Sequence, residues 1–64
     1  MNKYAIVKDG IVVNVIEYES QPPNPPPGFE MGHIAIQADG VSPKWHYANG
    51  EFFNPNPPVK PYSG

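Results

Sequence analysis

The stretch "KYAIVKDGIVVNVIEYE", residues 3–19, decides how this chain folds. Two runs rich in β-branched residues flank Asp9-Gly10, and Asp-Gly favours the two-residue type I′ turn whose twist suits paired strands. With those two residues as the loop, Lys8 faces Ile11, Val7 faces Val12, Ile6 faces Val13 and Tyr4 faces Val15. Successive side chains of a strand point to opposite faces. Tyr4, Ile6, Ile11, Val13 and Val15 therefore share one face, the expected core. Lys3, Ala5, Val7, Val12, Asn14 and Ile16 share the other, which is mixed but largely apolar. A sheet with one solvated face alternates more cleanly than this. The second face is expected to be covered, and Val7, Val12 and Ile16 become candidates for contact with a partner.

A second hairpin closes the domain. "KWHYA" (44–48) and "EFFN" (51–54) flank Asn49-Gly50, the strongest short hairpin signal. The register sets Tyr47 against Phe52, His46 against Phe53 and Trp45 against Asn54. Aromatic cross-strand pairs contribute a few tenths to about 1 kcal/mol each, which helps a sheet too small to close with aliphatics alone. Between the hairpins, "HIAIQ" (33–37) reads as a short strand with Ile34 and Ile36 on one face, followed by a turn around Asp39-Gly40. No window shows a 3.6-residue apolar period free of proline or glycine, so no helix is expected. The fold class is all-β: a small antiparallel sheet of two hairpins plus a short strand, four to five strands in all. Its expected core is Tyr4, Ile6, Val13, Val15, Ile34, Ile36, Trp45, Tyr47 and Phe52.

Proline shapes the rest. Five prolines stand between Pro22 and Pro27, and proline lacks the amide proton and fixes φ. Residues 21–28 read as a stiff connector inside a β domain spanning 1–54. The alternative, a polyproline ligand for an aromatic groove, lacks a flanking arginine. Beyond Asn54, "PNPPVKPYSG" (55–64) cannot donate a regular ladder and reads as an extended tail or docking arm. Pro57, Pro58, Val59 and Tyr62 are its candidate partner contacts, joined by Phe53 at the end of the hairpin. Each half of the chain thus carries a glycine-turn hairpin and then a proline-rich segment, a weak internal echo. The tail is expected to be mobile in an isolated monomer and ordered only against a neighbouring chain.

Composition excludes several classes of function. The 64 residues suit one small domain, and the absence of cysteine removes disulfides and thiolate metal sites. The net charge is −2, and the four basic residues, Lys3, Lys8, Lys44 and Lys60, are scattered without an arginine, so no nucleic-acid partner is expected. No apolar run approaches the ~20 residues needed to cross a bilayer, and Lys8, Asp9 and Gly10 interrupt the start, so a soluble chain without a membrane partner is expected. His33 and His46 lie in separate segments without ligand spacing, and Asp39 and Glu51 sit near turns. Ser20, Ser42 and Ser63 occupy loop or tail sequence without a nucleophile elbow. No catalytic residue, cofactor or metal is expected. Trp45, Tyr47 and Phe53, with Phe52 beside them, offer one alternative: an aromatic platform that stacks on sugar rings, giving a carbohydrate-binding module. Core packing is the ordinary use of the same rings.

Taken together, "YAIVKDGIVVNVIEY" (4–18), the proline-rich connector and "WHYANGEFFNPNPP" (45–58) resemble a short two-hairpin module of tailed-bacteriophage virion proteins. That module opens with a hairpin of the type Y-A-x-V-x-x-G-x-V-x-N-V and closes with an aromatic-x-aromatic, Asn/Asp-Gly, x-Phe hairpin and prolines. The matching positions are Tyr4, Ala5, Val7, Gly10, Val12, Asn14 and Val15 at the front. At the back they are Trp45, Tyr47, Asn49, Gly50, Phe52, Pro55, Pro57 and Pro58. The five-proline connector and His46 between Trp45 and Tyr47 depart from the pattern. The resemblance implies a non-enzymatic virion component, tail- or fibre-associated or a capsid accessory protein. Such a chain would be made in the host cytoplasm, reside in the virion and contact other virion proteins in a multi-copy assembly. An assembly helper absent from the mature particle is the other role it implies.

Overall fold

A computed structural model describes residues 1–55. The expected tail contacts Pro57, Pro58, Val59 and Tyr62 lie outside the described residues. The fold is all-β, with five strands: β1 (Asn2–Lys8), β2 (Ile11–Tyr18), β3 (Ile34–Gln37), β4 (His46–Ala48) and β5 (Glu51–Phe53). They form one antiparallel sheet in the order β3-β1-β2-β4-β5, and no helix occurs among the described residues.

Both two-residue turns form where the sequence places them. Asp9 and Gly10 take φ of 53° and 76°, and Asn49 and Gly50 take 55° and 79°, the paired left-handed conformations of a type I′ turn. Lys8 pairs with Ile11 and Val7 with Val12, and Tyr47 pairs with Phe52 and His46 with Phe53, as the turn geometry requires. Gly10 has a second constraint. A Cβ added there would lie 3.4 Å from the Tyr47 carbonyl oxygen, because β4 passes directly beside the turn.

The first hairpin departs from the simple register one step beyond the turn. Ile6 pairs with Asn14, not Val13, and a bulge leaves Val13 as the extra residue of β2. The Asn14 side-chain oxygen accepts the Val15 amide at 2.8 Å, so the backbone donor displaced near the bulge keeps a partner. From there on every β2 side chain changes face. Val15 now pairs with Ala5 and Ile16 with Tyr4. Val13, expected in the core, is 43 % exposed. Ile34 was also expected inside; it is 38 % exposed at the start of edge strand β3, on a face whose cover includes Ile36. Val15, Ile36, Trp45, Tyr47 and Phe52 are half-buried, and Tyr4 and Ile6 are buried.

The bulge yields two small cores back to back on β1. On one face Tyr4, Ile6 and Ala35 pack with Ile16, Tyr18 and Phe29, the last contributed by the connector. On the other, Ala5, Val7 and Val12 pack with Val15, Ile36, Ala38, Val41 and the rings of Trp45, Tyr47 and Phe52. The second face is thus covered by the chain itself. β2 and β4 share a single bridge pair, Ile11 with His46. Three backbone bonds hold this seam: Val12 N–H to the Trp45 carbonyl (2.8 Å) and Tyr47 N–H to the Gly10 carbonyl (2.8 Å), which flank the bridge pair, and Lys44 N–H to the Val12 carbonyl (2.7 Å). Lys44 adopts φ of 79° to make this approach, a conformation that costs a non-glycine residue about 1–2 kcal/mol. Each backbone bond contributes about 0.5–1.5 kcal/mol net. A half-buried ring contributes on the order of 1–2 kcal/mol by area, so the three rings carry at least as much of the seam as its bonds.

Two substitutions read the bulge directly. Val12→Ala removes fully buried methyl groups and is expected to cost about 1.5–3 kcal/mol. Val13→Ser, one residue away on the exposed bulge, is expected to change stability by less than about 0.5 kcal/mol. Urea unfolding followed by Trp45 fluorescence measures both; a larger loss at Val13 than at Val12 reinstates the unbulged register.

Candidate interaction surface

The two edges of the sheet are built differently. Along β3, Ala35 pairs with Ile6, and both of its main-chain groups turn away from β1 towards the outside. The connector meets them with side chains. The Asn24 side-chain oxygen accepts the Ala35 amide at 3.1 Å, and the Gln21 side-chain amide donates to the Ala35 carbonyl at 2.8 Å. Two amide side chains thus stand in for a neighbouring strand, and an exposed edge that would template further pairing is closed at this position. The connector also buries Pro22 and Pro26, so it is a packed part of the domain. Neither buried proline is presented as a ligand for an aromatic groove.

At the opposite edge β5 borders an open groove of about 450 Å³. Three consecutive residues, Glu51, Phe52 and Phe53, line it, so the groove runs beside the strand. Ala38, Asp39, Val41 and Trp45 complete the lining. Tyr47 donates its amide to the carbonyl of Gly10 in the turn just before β2, which places the Tyr47–Phe52 pair among those whose main-chain groups point outwards from the hairpin. The N–H and C=O of Phe52 accordingly turn towards the groove. The surface combines an aromatic floor, two carboxylates and a strand edge, a composition suited to an extended segment bearing positive charge. A second depression, of about 360 Å³, sits at the far end of β2, between Met1 and Glu17–Ser20.

The candidate contact residues do not form one surface. Val7 and Val12, expected to meet a partner, are 3 % and 1 % exposed beneath Trp45, Tyr47 and Phe52. This corrects the expectation: the chain's own closing hairpin occupies their face. Ile16 is half-buried on the opposite face against Tyr4, Ile6 and Ala35, because the bulge carried it there. Phe53 is 47 % exposed. The rings proposed as a sugar platform also divide. Tyr47 packs on Phe52 at 4.7 Å over the Val7–Val12 core, with Trp45 in the same core, whereas Phe53 meets His46 edge-on at 5.4 Å on the other side of the hairpin. Trp45, Tyr47 and Phe53 therefore present no common plane. Sequence reasoning passed over Gln21, Asn24 and Val41, and weighed Asp39 and Glu51 only beside the histidines as metal ligands. Polar residues in loops and turns look like ordinary solvated positions until the strands they border are known.

Among the described residues no group of three or more His, Cys, Asp or Glu side chains could hold a metal ion. His33 Nδ1 lies 2.8 Å from the Glu30 carbonyl and its ring contacts Phe29 at 5.3 Å, so it serves the connector locally. No helix among the described residues is long and apolar enough to cross a membrane. Comparison with protein-family models, curated proteins and solved structures finds no match for this chain.

The edge cap is testable by the polarity of each amide. Asn24→Asp keeps the acceptor for the Ala35 N–H, whereas Gln21→Glu replaces the donor to the Ala35 carbonyl with an acceptor. Asn24→Asp is expected to change stability by less than about 0.5 kcal/mol, and Gln21→Glu to cost about 1–3 kcal/mol. Hydrogen exchange at Ala35 should stay slow in Asn24→Asp and accelerate in the double variant Gln21→Ala, Asn24→Ala. Unchanged exchange in that double variant would remove the cap from the account.

Proposed function

We propose that this chain is a non-enzymatic structural component of a bacteriophage virion, tail- or fibre-associated or a capsid accessory, that works through protein–protein contacts. The virion part of the reading rests on the likeness of its two hairpins and proline segments to the two-hairpin module of tailed phages. The contact part rests on one observation above all. One edge of the sheet is capped at Ala35 by Gln21 and Asn24, while the other borders an open groove lined by aromatic rings and two carboxylates. A domain that blocks one edge and leaves a groove along the other favours a directed, single-sided contact over indiscriminate strand pairing.

The placement of the aromatics supports a protein partner over a sugar. Flat stacking on a sugar ring calls for coplanar exposed rings, and here two of the three candidate rings are committed to the interior. An extended peptide needs less: a strand edge, apolar contact and a charge to fix register.

Quantitative mass spectrometry of purified particles of the encoding phage tests the virion reading, and the chain is expected there in multiple copies. Absence from mature particles whose assembly nevertheless depends on the chain assigns it the helper role and overturns the virion reading. Saturable quenching of Trp45 by one sugar class on a glycan panel overturns the protein-contact reading.

A further inference from the structure

We infer that the groove along β5 receives the proline-rich segment 56–64 of a second copy of this chain, so that copies join head to tail. The inference rests on the protein-contact reading above and names the partner of that same groove. Its first support is charge. Asp39 and Glu51 both line the groove, and Lys60 is the single charged side chain between Pro55 and Gly64. The second is chemistry. Aromatic-lined grooves suit polyproline segments, which are already extended and lose little freedom on docking. Trp45 and Phe52 supply such a lining, and Val59 and Tyr62 flank Lys60 as apolar anchors. The third is the main chain. Phe52 turns one donor and one acceptor to the groove, while the amides of Val59 and Lys60 are two that the prolines leave available.

The choice of a second copy over the same molecule follows from the residues ahead of the prolines. To lie against its own β5, the chain would have to reverse immediately after Phe53. Asn54, Asn56 and Pro57 each precede a proline, and a residue in that position is steered away from helical conformations towards extended ones. The tight turns that reverse a chain with a trans proline at their second position need the following residue to be helical or left-handed. The chain bends at Pro55, but Asn56 follows Pro55 and is itself followed by Pro57, so the sequence opposes the further turn that a full reversal needs. Nine residues at ~3.1 Å each span roughly 28 Å when extended, against roughly 10 Å for the three residues of β5. The segment is long enough to leave its own sheet and lie along a neighbour's. The contact joins two different surfaces, groove and arm, so each copy can give one arm and receive another.

Sedimentation velocity of the full chain over a wide concentration range tests this, together with the Trp45 indole N–H signal. Wild type is expected to self-associate, increasingly as salt is lowered, with a shift of the Trp45 signal. Lys60→Glu, defective in the arm, and Glu51→Lys, defective in the groove, should each weaken self-association by roughly five- to tenfold. Mixed together, these two variants should regain association, because the arm of the second fits the groove of the first and the reversed charges of the other arm and groove also attract. Wild type that stays monomeric, with Trp45 indifferent to Lys60→Glu, overturns the inference. So does a monomer whose Trp45 signal does respond, since the arm then docks on its own groove. Self-association that survives both substitutions also overturns it, by placing the interface elsewhere. The outcomes separate from those of the virion reading: a monomer found in particles sinks only this inference, and a self-associating chain absent from particles sinks only that reading.

Discussion

The fold depends on one extra residue in β2. With Val13 bulged out, β1 becomes a strand whose both faces are interior: Tyr4, Ala5, Ile6 and Val7 are all buried in succession. Continuous burial of a strand is usual where helices cover a parallel sheet. This chain has no helix among its described residues and obtains the same result by other means. The bulge divides β2 so that Val12 and Val15 serve one face while Ile16 and Tyr18 serve the other. Without that division, Val12, Ile16 and Tyr18 would share one face and Val15 would lie on the other.

Two apolar faces require two covers, and the connecting segments provide them. The connector from β2 to β3 brings Phe29 against the Tyr4–Ile6 core. The connection from β3 to β4 brings Ala38, Val41 and Trp45 across the Val7–Val12 core, and the closing hairpin adds Tyr47 and Phe52. Loops in such roles need stiffness, since each ordered residue costs about 1–2 kcal/mol of backbone entropy. Proline lowers that cost by restricting the unfolded chain. The prolines of residues 22–27 are therefore as much a part of the stability of the domain as its strands. They also position Gln21 and Asn24 to close the β3 edge.

Closure of one edge gives the remaining edge its meaning. A small sheet with two open edges would associate from either side. Here the β3 edge carries amide side chains at Ala35, and β5 is short and set beside a groove with carboxylates. Aromatics in the closing hairpin do two things at once. They hold a seam that has a single bridge pair, and Trp45 and Phe52, with Asp39 and Glu51, line the groove. Stability and recognition thus draw on the same rings, so substitutions at Trp45 or Phe52 cannot separate the two, whereas those at the two carboxylates can.

The sequence by itself determined the all-β class, both type I′ turns and the pairing nearest each turn, because Asp9-Gly10 and Asn49-Gly50 act within four residues of chain. It also marked the second face of the first hairpin as apolar enough to need a cover. It did not determine which side chains lie inside. Val13 looks as apolar as Val12, and nothing local says which of them the ladder will expel. That choice depends on which register lets both faces of β1 be covered at once, a condition set by Phe29, Trp45 and Tyr47 from distant parts of the chain. The same holds for the candidate site. Val7 and Val12 read as a surface for a partner until the closing hairpin was seen to fold over them. Asp39, Glu51 and Phe52 came together only because β5 and the loop after β3 meet across the sheet. Turn chemistry is local and legible; burial and grooves belong to pairs of segments, and only the tertiary structure decides which segments meet.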